Sequence, residues 1–174
     1  HGALETQLLI TASLAGGRAA WRSDDITTAT ELFQAALKLE PKNIEAADAV
    51  GELLYITGDK REARKVLEAR IALSRKNTKL ARQHAIIGEA LELDEEFEQA
   101  LGAVSRAIEV EADIDQGHEG IARIHELRDE PVEAIGALLA WTQVQSDDTM
   151  KSAQLFRVAR LEQSIKETDA ALTH

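Results

Sequence analysis

Few side chains in this sequence are of a type that does chemistry. It has no Cys, which excludes a thiol nucleophile, a disulfide scaffold and a Cys-ligated zinc or iron–sulfur centre. Of its five His, two are the terminal His1 and His174, and the others are His84, His118 and His125. His118 and His125 are seven residues apart and so share a helical face, with Glu119 and Glu126 beside them. A metal centre needs such ligands to converge at about 2 Å from one ion. The His-Glu-x-x-His spacing is absent, so each ring reads as a core or half-buried histidine accepting one hydrogen bond. Glu95-Glu96 are of a type used in acid–base catalysis. On a charged, Ala-rich helix they read as a solvated face. Gly16-Gly17 lacks the Lys-Ser/Thr that completes a phosphate loop, and no Ser sits in a nucleophile elbow. The expectation is a non-catalytic chain with no cofactor and no metal.

The elements that carry these residues are helices. The chain has 174 residues, 44% apolar and 29% charged, with only 3% aromatic residues, 29 Ala and two Pro. Ala has the best helix propensity and lets helices approach closely. A β-sandwich needs more β-branched and aromatic residues. The length suits one domain, 1–174. A net charge of −11 argues against nucleic acid and anionic membrane as partners, because both demand a basic footprint. No apolar run approaches the roughly 18 residues of a membrane span. The chain starts at His1, as an excised segment or mature product does, so it is silent on leader peptides. Compartment is open; the loop-poor, Ala-rich style leans towards a soluble protein of a bacterial cytoplasm or periplasm.

A repeat organises the helices. Gly17, Gly51 and Gly88 are spaced by 34 and 37 residues, and Ala29, Ala63, Ala100 and Ala134 by 34, 37 and 34. A unit of about 34 residues with small residues at fixed places reads as a helix–turn–helix. Asp24-Asp25, Gly58-Asp59, Asp94-Glu95 and Asp129-Glu130 fall between the paired helices, where an acidic residue caps the second helix. The register predicts helices over about 3–22, 25–39, 43–57, 60–74, 78–93, 96–110, 115–128 and 131–145. A longer helix follows over 149–172, carrying Leu155, Val158, Leu161, Ile165 and Leu172 on one face.

This pattern resembles the tetratricopeptide repeat. The family places Gly at repeat position 8, Ala at 20, a bulky residue at 24, Ala at 27 and Pro at 32. Gly17, Ala29, Phe33, Ala36 and Pro41 match in a first repeat over about 10–43. Gly51, Ala63 and Leu67 match in a second over 44–77, and Gly88, Ala100, Val104 and Ala107 in a third over 81–114. Ala122 and Ala134 match in a fourth over 115–148. Repeat two departs, with Arg70 and Arg75 in place of Ala and Pro. Three extra residues follow it, within the basic run Lys76-Asn77-Thr78-Lys79. That run reads as a solvated linker, or as a docking loop. The resemblance implies an all-α, right-handed α-α superhelix closed by a capping helix at 149–172.

The resemblance also implies a concave groove lined by the first helix of each pair. Carried over residue by residue, the family's groove positions give Arg18, Trp21 and Arg22, then Glu45, Asp48, Glu52, Tyr55 and Ile56. Farther on they give Arg82, Glu89, Glu92, Leu93, Arg123, Glu126 and Leu127, with Arg157 and Arg160 from the last helix. Trp21 and Tyr55 share one repeat position and read either as interface anchors or as packing against a neighbouring helix. The acids and the flanking arginines suit a basic or amphipathic peptide or helix of a protein partner. The family's carboxylate clamp and Asn ladder are not matched: of the clamp positions Leu14, Arg18, Ala49, Arg82 and Ile86 only Arg18 and Arg82 suit it, and the ladder positions hold Ala15, Ala49, Ile86 and Gly120. The expected function is a protein-interaction adaptor. Two alternatives are a scaffold that self-assembles through its repeat ends, and a regulatory segment of a larger enzyme.

Overall fold

A computed structural model describes residues 2–74 and 80–172, with backbone alone at 169 and 172. The basic run 76–79 and Arg75 lie outside the described residues, as do His1 and His174. The chain divides into two compact units, 1–78 and 79–174. Unit 1 holds α1 (Gly2–Arg22), α2 (Ile26–Leu39), α3 (Ile44–Ile56) and α4 (Lys60–Ala72). Unit 2 holds α5 (Ala81–Leu93), α6 (Phe97–Val110), α7 (Asp115–Leu127), α8 (Pro131–Val144) and α9 (Asp148–Leu172). The described residues contain helices and turns and no strand. The helices begin and end within a residue or two of the expected bounds, apart from α5. It starts at Ala81 rather than 78, with Leu80 at its N-cap and no side-chain cap bond.

Each pair is closed by the same turn. Asp24, Gly58, Glu95 and Asp129 all take positive φ, at 62°, 92°, 59° and 56°. The following amide then reaches back across the turn: Asp25 N to Ala20 O at 2.9 Å, Asp59 N to Leu54 O at 2.8 Å, Glu96 N to Leu91 O and Glu130 N to His125 O at 2.9 Å. This satisfies carbonyls that the helix end leaves unpaired. Asp25 and Asp59 also cap the next helix through side-chain bonds to the amides of Thr28 and Glu62, at 3.1 and 3.3 Å. The expectation of acidic capping fails in the other two pairs. Glu96 and Glu130 make no side-chain cap bond. The longer Glu130 side chain instead takes His125 Nδ1 at 2.8 Å and Arg128 at 2.9 Å.

The glycines set how closely paired helices cross. A Cβ on Gly17 would meet the Phe33 ring at 2.9 Å, on Gly51 a Leu67 methyl at 2.3 Å, and on Gly88 a Val104 methyl at 2.4 Å. In the fourth pair Ala122 and Leu138 share a cluster with Trp141, onto which α9 sets Val158. Ala29, Ala63, Ala100 and Ala134 are fully buried.

Two departures from the repeat pattern are accommodated differently. Arg70, where Ala is usual, is buried with Nε 3.0 Å from Asp48 Oδ1, and its guanidinium bonds the Ser74 hydroxyl. Trp141, at the same repeat position, stacks on His118 with centroids 6.5 Å apart and rings 5° from parallel. Its indole N–H donates to Asp115 at 2.8 Å. His118 is a core histidine, but its ring donates rather than accepts. Its Nε2 lies 2.7 Å from the Ala112 carbonyl, an oxygen that can only accept.

Candidate interaction site

In unit 1 the sequence-expected groove residues come from α1 and α3. Arg18 and Glu45, both well exposed, form an ion pair that ties these helices together. Trp21 is half-buried and meets Phe33 edge-on at 6.1 Å, so much of its ring is committed to packing within its own pair. Arg22 is exposed. Asp48 faces inward to Arg70. Glu52 and Tyr55 are half-buried, and the Lys60 ammonium stands 5.3 Å from the centre of the Tyr55 ring.

In unit 2 the expected acidic stripe is threaded by arginines. Arg123 on α7 reaches Glu92 on α5 at 2.7 Å and Glu119 at 3.8 Å. Arg157 on α9 bridges Glu119 and Glu126, each at 2.7 Å. The chain of contacts Glu92–Arg123–Glu119–Arg157–Glu126 thus crosses three helices. The hydrogen bond to Glu92 holds the Arg123 guanidinium above its ordinary pKa, so it stays charged. Arg82 and Glu89 are half-buried on α5. These pairs mean that several acids already hold a cation. Partly exposed pairs of this kind contribute about 0–1 kcal/mol each, so their main effect is to fix side-chain positions.

The clearest signal lies one position farther along each first helix. Ile56, Leu93 and Leu127 occupy the same repeat position and are 52%, 55% and 56% exposed. Each stands beside a polar or charged neighbour, Tyr55, Glu92 or Glu126. The resemblance to the family assigned them to the expected groove. That they are held in solvent could not be read from a pattern in which apolar means inward. Among the described residues no group of three or more His, Asp or Glu is placed to hold a metal ion. No helix among them is long and apolar enough to cross a membrane.

No family model and no curated protein matches the sequence. Solved structures do. A MamA protein superposes with a TM-score of 0.73 at 18% identity, over 95% of this chain and 91% of that one. YrrB, described as a TPR protein with an unusual peptide-binding site, superposes at 0.71 and 15% identity, over 88% and 76%. A Thermobaculum terrenum O-GlcNAc transferase superposes at 0.64 and 23% identity, over 79% of this chain and only 26% of that one. The fold is therefore that of the tetratricopeptide-repeat proteins: all-α, built from paired helices in tandem.

Proposed function

We propose that this chain is a non-catalytic protein-interaction module, which binds a peptide or helical segment of a partner on the surface of its first helices. The observation that carries this reading is the recurrence of Ile56, Leu93 and Leu127 as large apolar residues held in solvent at one repeat position. Within unit 2, Leu93 and Leu127 stand on the neighbouring helices α5 and α7, and an apolar patch rimmed by polar residues marks an interaction surface. The likeness to YrrB, whose own description names a peptide-binding site, points the same way. The net charge of −11 favours a basic or amphipathic partner segment. Arg18, Arg22, Arg82, Glu45, Glu52 and Glu89 then act by selecting charge, and Tyr55 with the apolar positions acts as anchor.

The test is affinity capture from source lysate, read by mass spectrometry, with wild type beside Trp21→Ala/Tyr55→Ala and beside Leu93→Ser/Leu127→Ser. Partners held by the wild type and lost by either variant, with circular dichroism intact, support the reading. Identical partners with all three baits overturn it.

Self-assembly is the second reading, and a separate observation favours it. Leu4, Leu8 and Leu9 on α1 are exposed, and so are Leu155 and Phe156 on α9. Sedimentation over a hundredfold concentration range decides. A mass that stays at one chain excludes this reading, and growth that Leu8→Ser or Phe156→Ser abolishes supports it.

A further inference from the structure

The first helices of the second, third and fourth pairs, α3, α5 and α7, each have 13 residues, whereas α9 has 25. Its added turns carry Leu161 and Ile165 past the α7–α8 turn. Opposite them stand Pro131 and Val132 at the start of α8, with Asp129 and Glu130 from the turn itself. Between these walls lies an open cleft of about 430 Å³. A smaller cavity of about 210 Å³ adjoins it, sharing Glu126, Leu161 and Ser164 and bounded by Arg157 and Arg160. Together they form one trough along α9, wholly within unit 2, which takes Glu126, Arg157 and Arg160 from the expected groove and none of the groove residues of α5.

The larger cavity carries Asp129 beside the apolar Val132, Leu161 and Ile165, the smaller one carries Arg160, and Glu126, Leu161 and Ser164 line both. Val132 is 65% exposed though it forms a wall, and Leu161 and Ile165 are half-buried. Glu126 is occupied by Arg157, and Glu130 by His125 and Arg128. Asp129 in the larger cavity and Arg160 in the smaller one enter no ion pair or side-chain hydrogen bond with the described residues. From Arg157 to Thr168 the helix rises roughly 16 Å, which an extended peptide of about five residues spans.

We infer that this trough takes a short extended segment of a protein partner. The segment has one aliphatic side chain seated between Val132, Leu161 and Ile165, a carboxylate directed to Arg160 and a lysine or arginine directed to Asp129. The inference rests on the interaction-module reading and deepens it: the trough shares Glu126, Arg157 and Arg160 with the expected groove but adds the walls at 129–132 and 161–168. Charge matching at Asp129 and Arg160 fixes the direction of the segment, and the aliphatic residue supplies the anchor.

The test is an NMR titration of the ¹⁵N-labelled full chain with two pentapeptides, Glu-Ala-Leu-Ala-Lys and Lys-Ala-Leu-Ala-Glu, blocked at both ends. One orientation is expected to shift the amides of Val132, Leu161 and Ile165, and to bind at least tenfold more tightly than the other. Replacing its Leu by Ser should remove binding. Val132→Glu, at an exposed position that the fold does not need, and Ile165→Glu should each weaken it at least tenfold. Trp21→Ala/Tyr55→Ala should leave it unchanged, which separates failure here from failure of the first-helix surface. Shifts confined to α1 and α3, equal binding of both orientations, insensitivity to Val132→Glu, or peptide-free shifts that grow with protein concentration as a second copy fills the trough would each overturn it.

Discussion

Gly51 faces the Leu67 side chain so closely that a Cβ added to it would lie 2.3 Å from a methyl carbon, well inside van der Waals contact. Gly136, on the exposed side of α8, has nothing within 4 Å of the same added atom. The same substitution should therefore have opposite signs at the two sites. Gly51→Ala overpacks a core crossing and is expected to cost about 1–3 kcal/mol; Leu67→Ala alone should cost about 2–5 kcal/mol, and Gly51→Ala/Leu67→Ala should cost less than the sum of the two. Gly136→Ala improves helix propensity in open space and should stabilise by up to about 1 kcal/mol. Chemical denaturation of the four variants checks this.

The turns give a second pair of opposed outcomes. Glu95 holds a left-handed backbone at φ 59°, whereas Gly58 fills the equivalent place at φ 92°. A residue with a Cβ loses about 1–2 kcal/mol in that region, partly offset by the freedom glycine gains in the unfolded chain. Glu95→Gly should raise the melting temperature, with a gain of about 0.5–1 kcal/mol. Gly58→Ala should lower it by a similar or larger amount.

Arg70 and Asp48 make a test of buried charge. The Arg70 side chain is almost wholly enclosed, while Asp48 keeps about a third of its surface. Removing the carboxylate leaves a buried guanidinium short of its counter-charge. Asp48→Ala is expected to cost about 2 kcal/mol, discounted from the loss typical of fully buried pairs because Asp48 is partly solvated. Asp48→Ala/Arg70→Met should be more stable than Asp48→Ala alone. A double variant no better than the single one would show that the pair does not control this site.

Gln154 is buried in unit 2, with neither its amide nitrogen nor its amide oxygen bonded to another group. An orphaned buried polar group costs about 1–3 kcal/mol. Gln154→Met keeps the side-chain length and removes both orphans, so it should stabilise by about 1 kcal/mol or more. A loss of stability would mean that the amide is satisfied in solution, as by an internal water.

His84 supplies the pH dependence. Burial, then the Arg106 cation, hold its ring below the ordinary histidine pKa, and Glu109 only partly opposes them. The folded state therefore prefers the neutral ring more than the unfolded state does. The stability His84 contributes is complete above the unfolded value near 6.5 and is lost as pH falls below it. His84→Gln should flatten the decline in melting temperature between pH 7 and pH 5. An unchanged slope would assign that decline to other groups.

Much of the fold was legible because its signal is local and periodic. Gly17, Gly51 and Gly88 mark crossings, and the acidic pairs mark turns, so pairing and register follow from spacing alone. Two details of the turns did not follow. The repeat register puts Glu95 in a turn, but its residue type gives no sign of the left-handed backbone it adopts there. Glu96 and Glu130 differ from Asp25 and Asp59 by one methylene, and they do not cap. The candidate site was legible as a list of residues but not as an arrangement. Arg123 meets Glu92, and Arg157 meets Glu119 and Glu126, across separations of 31 to 38 residues. Such pairings depend on how neighbouring helices are rotated, which no short-range pattern encodes. Ile56, Leu93 and Leu127 share the same difficulty: their spacing is plain, but their exposure is a property of the assembled unit.

The turns and the crossings keep one internal ruler. From Gly17 to Asp24, Gly51 to Gly58, Gly88 to Glu95 and Ala122 to Asp129 is seven residues each time. From each of those turn residues to Ala29, Ala63, Ala100 and Ala134 is five. The three additional residues between the second and third pairs fall wholly outside that ruler. Length is thus rationed inside a hairpin and free at the seams. A hairpin can be cut at its seams and exchanged like a cartridge, carrying its crossing and turn intact, whereas one residue inserted between glycine and turn would rotate every later side chain of that helix by roughly 100°. For anyone recombining this chain with others of its kind, the seams are the places to cut.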